Sequence, residues 1–71
     1  MGEPYTKMKT LHTPSKVLEA MDRGYVLQEM PHGACLRNDW AKEEYPVVRR
    51  VVRTLADQGA IVREGDVWSK P

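Results

Sequence analysis

The sequence predicts a single small α+β domain in which a helix feeds a hairpin twice, with a short helix between the two units. Three observations carry that prediction. Val47, Val48, Val51, Val52, Leu55 and Ala56 fall at i, i+1, i+4, i+5, i+8 and i+9, one continuous apolar helical face. Residues 60–70 form two β-prone runs around Gly65-Asp66, the chemistry of a two-residue hairpin turn. Gly24 and Gly59 each stand where a helical stripe stops and a β-forming run begins.

The elements follow in order. Residues 1–12 lack periodicity and read as a flexible N-terminal arm, and residues 13–71 as the domain. Thr13 is a candidate N-cap, and Pro14 suits the first helical position because its missing N–H has no partner to lose there. Val17, Leu18, Ala20 and Met21 give that helix its stripe, and Gly24 ends it. Residues 25–30 are rich in β-formers, Pro31-His32-Gly33 is turn chemistry, and residues 34–37 return as a second strand. Asn38 or Asp39 would cap a short helix over residues 40–44. Pro46 then opens the valine-striped helix, predicted over residues 46–58, which depends on burial because valine is a mediocre helix former. In the last hairpin Arg63 faces Trp68, with Ile61 on the same side, while Val62 and Val67 take the other.

A shift of thirty-five residues superposes Val17 on Val52, Ala20 on Leu55, Met21 on Ala56, Gly24 on Gly59 and Val26 on Ile61. Both halves therefore read helix, glycine, strand, turn, strand. The predicted core is Val17, Leu18, Met21, Val26, Val48, Val51, Val52, Leu55, Ile61 and Trp68.

Composition narrows the classes of function. The chain has 71 residues, 41% of them hydrophobic, which is enough for one small core. Eleven Lys and Arg against ten Asp and Glu leave a net charge of +1, unlike a strongly cationic or acidic tail. The one cysteine excludes an internal disulfide, and no run approaches the ~20 apolar residues of a membrane span. No signal-peptide pattern is recognised, so a cytoplasmic location and no membrane partner are expected. His32 and Cys35 have HxxC spacing, but two ligands do not make a zinc site and His12 lies in the arm. No carboxylate pair, Gly-rich phosphate loop or Ser/His/Asp set stands out. Hence no catalytic, cofactor or metal site is expected.

The stretch YPVVRRVVRTLADQGAIVREGDVW, residues 45–68, resembles the recognition helix and wing of winged helix-turn-helix domains. The resemblance rests on apolar spacing rather than on a signature motif, and it makes the expected fold winged-helix-like. It implies a small DNA-binding protein, a transcriptional regulator whose helix 46–58 enters the major groove of double-stranded DNA. A palindromic target would then require a homodimer. Glu64 and Asp66 at the wing tip repel phosphate, which places the reading on the helix rather than on the wing.

The residues themselves support that expectation through their charge. Arg49, Arg50 and Arg53 lie opposite the valine face, and guanidinium forks bind phosphates and guanine edges. An ordinary solvated helix face, with Arg53 paired to Asp57 at i+4, is the competing reading. Arg37, Lys42, Arg63 and Lys70 are further candidate phosphate contacts, and Arg63 has a second role open to it, stacking on Trp68. The alternative function is a protein-interaction module, such as a small phage- or plasmid-type adaptor or inhibitor. It would use the same scaffold without DNA, and Trp40 and Tyr45 would be its contact residues.

Overall fold

The computed structural model describes residues 5–31 and 33–71. In chain order the elements are β1 (Thr6–Lys7), α1 (Pro14–Asp22), β2 (Val26–Met30), β3 (Gly33–Asn38), β4 (Glu43–Val47), α2 (Arg49–Asp57), β5 (Val62–Glu64) and β6 (Val67–Ser69). The six strands form one mixed sheet in the order β1-β4-β3-β2-β6-β5. Among the described strands only β1 and β4 run parallel, and every other neighbouring pair is antiparallel. The α+β class is therefore as expected, and the predicted first hairpin is present, with Met30 opposite Gly33. It joins the last hairpin through β2 and β6, where Leu27 faces Trp68.

Both helices pack on one face of this sheet. Val17 from α1 and Val51, Val52 and Leu55 from α2 meet Leu27, Ala34, Leu36, Val47 and Ile61 in the core. The row Trp68–Leu27–Leu36–Tyr45 crosses four strands beneath the helices. The neighbouring row Val26–Arg37–Glu44 points to the other side, which no described helix covers.

The two helices end in the same way. Gly24 N–H donates to Met21 O at 3.0 Å and Tyr25 N–H to Ala20 O at 3.1 Å; Gly59 N–H donates to Ala56 O at 3.0 Å and Ala60 N–H to Leu55 O at 2.9 Å. Each pair of bonds is a Schellman closure, and both glycines adopt positive φ, 102° and 73°, where other residues are strained. The bonds coincide under the thirty-five-residue shift. Beyond the glycines the repeat loses phase: Val26 is exposed, whereas its counterpart Ile61 is buried.

Four expectations are corrected. The short helix over residues 40–44 is instead a turn followed by β4. The Asn38 side chain, 2% exposed, accepts the Ala41 N–H at 2.7 Å and shapes that turn rather than capping a helix. Tyr45 precedes Pro46, and a residue before proline is driven toward extended backbone, which suits the strand that carries Glu43, Glu44 and Tyr45 against Asn38, Arg37 and Leu36 of β3.

The helix predicted over residues 46–58 accordingly starts later, at Arg49, because Pro46 and Val47 belong to β4. The described part of the expected N-terminal arm is stitched to the sheet. Thr6 N–H donates to Lys42 O at 2.7 Å, Met8 N–H to Glu44 O at 2.8 Å and Leu11 N–H to Pro46 O at 2.8 Å. These bonds satisfy backbone groups that β4 would otherwise leave open along an edge. Finally, Val26 leaves the core at 37% exposure, and Leu27, Leu36, Ala34 and Val47 take its place. A strand alternates with period two, so a shift of one residue in the inferred phase exchanges its two faces.

Candidate functional site: a cationic groove beside α2

The first turn of α2 contains Arg49 and Arg50, has no acidic residue, and receives no side-chain cap at Val48. Cations there oppose the helix macrodipole, whose N-terminal end favours negative charge by about 0.3–1 kcal/mol per group. The helix is held nonetheless by burial of Val51, Val52 and Leu55. Its local charge pattern is therefore not one chosen for helix stability.

Arg49, Val52, Arg53 and Ala56 follow one another at i, i+3, i+4 and i+7, a single stripe along α2. That stripe forms one wall of a groove of about 250 Å³, and Arg63 and Trp68 of the last hairpin form the other, with Glu29 and Gly33 beside them. The β5–β6 register sets Arg63 against Trp68, as the hairpin pattern predicts, and brings both to the helix-bearing face.

The groove side chains are anchored chiefly through neutral groups. Arg49 Nη2 donates to Pro31 O at 2.9 Å, and Arg63 Nε donates to Gly65 O at 2.8 Å. Trp68 Nε1 donates to Glu29 Oε1 at 2.9 Å, which fixes the indole plane. Among the described residues no carboxylate forms an ion pair with Arg49, Arg53 or Arg63, and the Arg53–Asp57 pair is absent.

The remaining candidate cations are dispersed. Arg50 is exposed on α2 but lies outside the groove. Arg37 is on the opposite face of the sheet, where its Nη1 donates to Gln28 Oε1. Lys42 sits in the β3–β4 turn with its ammonium 5.3 Å from the Tyr5 ring centroid. Lys70 is paired with Asp22. Thus Arg49, Arg53 and Arg63 converge, and Arg37, Lys42 and Lys70 do not join them.

Trp40 and Tyr45, the candidate protein contacts, differ in exposure. Trp40 is 66% exposed and meets Tyr25 edge to face, with ring centroids 5.8 Å apart. Tyr45 is half-buried, 5.9 Å from the same ring and packed on the core. Of the HxxC pair, His32 lies outside the described residues, as do residues 1–4 of the arm. Cys35 is a buried free thiol whose Sγ lies 3.4 Å from Glu44 Oε2. Burial, reinforced by that carboxylate, pushes its pKa up to about 11. A thiol held protonated in this way is a poor nucleophile and a poor metal ligand.

Sequence reasoning missed Glu29 and the role of Trp68 as a groove wall. The register of the last hairpin carried a signal for the tryptophan. Nothing local marked Glu29, which reaches the groove only because β2 borders β6.

No protein-family model matches this chain, and no curated protein or solved structure matches it. No helix among the described residues is long and apolar enough to cross a membrane.

Proposed function

We propose that this chain is a small DNA-binding protein of the transcription-regulator kind, contacting double-stranded DNA through the exposed side of α2. The carrying observation is the set of exposed guanidinium groups on α2, Arg49 and Arg50 in its first turn and Arg53 one turn on, without acidic partners among the described residues. Phosphate is the ligand that suits them, because guanidinium forks bind its oxygens in pairs and a helix N-terminus adds favourable potential. The order α2, glycine, β5–β6 supports the likeness to a recognition helix and wing. The likeness is limited to that part, since β3 and β4 precede α2 where a winged-helix domain has another helix. No catalytic step belongs to this reading, and a palindromic target would engage two copies.

The test is fluorescence anisotropy of a labelled mixed-sequence duplex at low and at physiological salt. The chain with Arg49, Arg50 and Arg53 all replaced by alanine should bind more weakly at both. Its plot of log affinity against log salt should also flatten by ~0.9 for each phosphate that it no longer neutralises. Unchanged affinity in the triple variant would overturn the proposal.

A second reading, a protein-interaction module, draws on the exposure of Trp40. Large aromatic rings of this kind anchor protein interfaces. A duplex titration that leaves α2 unperturbed would favour this reading over DNA binding.

A further inference from the structure

We propose that the groove between α2 and the β5–β6 hairpin is a binding site for a single phosphate group, clamped by Arg49 and Arg53 from one side and Arg63 from the other. The proposal deepens the DNA-binding reading and rests on it, since a backbone phosphodiester is the source that reading supplies. A phosphorylated small molecule offers the same chemistry.

Three observations converge on the site. Arg49 and Arg53 stand one helical turn apart on the wall of a groove of about 250 Å³, and Arg63 enters from the facing hairpin. Arg49 and Arg63 each use one of five N–H donors on a backbone carbonyl, so each is steadied while most of its fork stays available. Among the described residues, Arg53 forms no ion pair.

Of the side chains that line the groove three are cationic and only Glu29 is a carboxylate, since Glu64 and Asp66 flank Arg63 on the hairpin without lining it, and this leaves an excess of positive charge in the depression. A phosphate, with several oxygens and more than one direction of approach, can engage forks from two elements at once. The indole of Trp68 and the side chains of Val52 and Ala56 give the groove apolar surface, suited to the carbon skeleton that carries the phosphate.

Glu29 makes the inference testable in both directions. Its carboxylate accepts the Trp68 indole N–H, and its charge opposes an incoming anion. Glu29→Gln keeps an acceptor for the indole but removes the charge, so it should strengthen phosphate binding. At separations of about 7 Å and an effective dielectric between about 40 and 80, one charge corresponds to about three- to sevenfold in affinity. Arg53→Gln should weaken binding by a similar or larger factor.

The experiment is an amide and indole NMR titration of the full chain with inorganic phosphate, against sodium chloride at matched ionic strength. The Trp68 indole signal is assigned with Trp40→Phe, and thermal melts check that each variant is folded. The expected result is a saturable phosphate-specific shift at Trp68, Val52 and Ala56, tighter in Glu29→Gln and weaker in Arg53→Gln. No saturable shift, or no gain in a folded Glu29→Gln variant, overturns the clamp.

A duplex arm separates the two proposals. Duplex binding without the phosphate response removes the clamp and leaves the DNA reading standing. A phosphate response without duplex binding keeps the clamp, makes a phosphorylated small molecule its ligand, and removes the DNA reading.

Discussion

Replacing Leu27 and its neighbour Val26 by alanine, one at a time, tests the register on which the core and the groove both depend. Leu27 is fully buried, opposite Leu36 on one side and Trp68 on the other, whereas Val26 is 37% exposed on the uncovered face. Leu27→Ala removes three carbons at about 0.8 kcal/mol each, about 2.4 kcal/mol before any cavity is counted. The space left between β3 and β6 raises the loss to about 3–4 kcal/mol. Val26→Ala removes two carbons that are already partly hydrated and leaves no enclosed cavity, so its cost is about 1 kcal/mol or less. In a domain of this size the first loss corresponds to a fall of about 12–30 °C in Tm and the second to a few degrees. Urea and thermal unfolding followed by far-ultraviolet circular dichroism measure both. Equal losses, or a larger loss for Val26→Ala, would refute the register. They would also undo the placement of Arg63, Trp68 and Glu29 on one face.

Three further predictions test separate parts of the structure. Gly33 has φ 143°, and a Cβ there would lie 2.8 Å from Val47 O, so Gly33→Ala should destabilise by about 1–3 kcal/mol in the same unfolding assay. Lys42 holds φ 55° in the β3–β4 turn, and Lys42→Gly should stabilise by about 0.5–1 kcal/mol through release of left-handed strain. Unchanged or lower stability would contradict that turn. The Cys35 thiol, pushed up to about 11, should alkylate with iodoacetamide at pH 8 at least about tenfold more slowly in the folded chain than in urea. Its pKa is raised on folding, so the associated stability is complete below the unfolded value of about 9.0 and is lost as pH rises toward about 11. Stability that rises over that range in a Cys35-dependent way would contradict the assignment.

The legible parts of the fold were those specified by neighbours in sequence. The Schellman closures at Gly24 and Gly59 depend on residues within one helical turn, and both hairpins announced themselves through turn chemistry. The pairing of Arg63 with Trp68 followed from a two-residue turn that leaves a single register. β4 was missed because residues 40–44 carry good helix formers, although the constraint that Pro46 places on Tyr45 was already visible. β1 had no local signal. Two residues become a strand there only because β4 presents a free edge. At the candidate site the arginines of α2 were legible from helical spacing. Their companions were not, since Glu29 and Trp68 come from strands thirty-nine residues apart.

The sequence by itself determined the class of the domain, the two helices and where they end, the two hairpins, and a helix whose exposed side is arginine-rich. These depend on backbone preferences and on periodicities that extend over a few residues. Only the tertiary structure decided that the hairpins join through β2 and β6, and that Leu27 rather than Val26 faces the helices. The same pairing divided the cations into a convergent trio and a dispersed remainder. Both faces of β2 carry apolar side chains, so local pattern leaves its phase undecided. The choice comes from burying the row Trp68–Leu27–Leu36–Tyr45 in preference to the row Val26–Arg37–Glu44, and that comparison involves strands far apart in the chain.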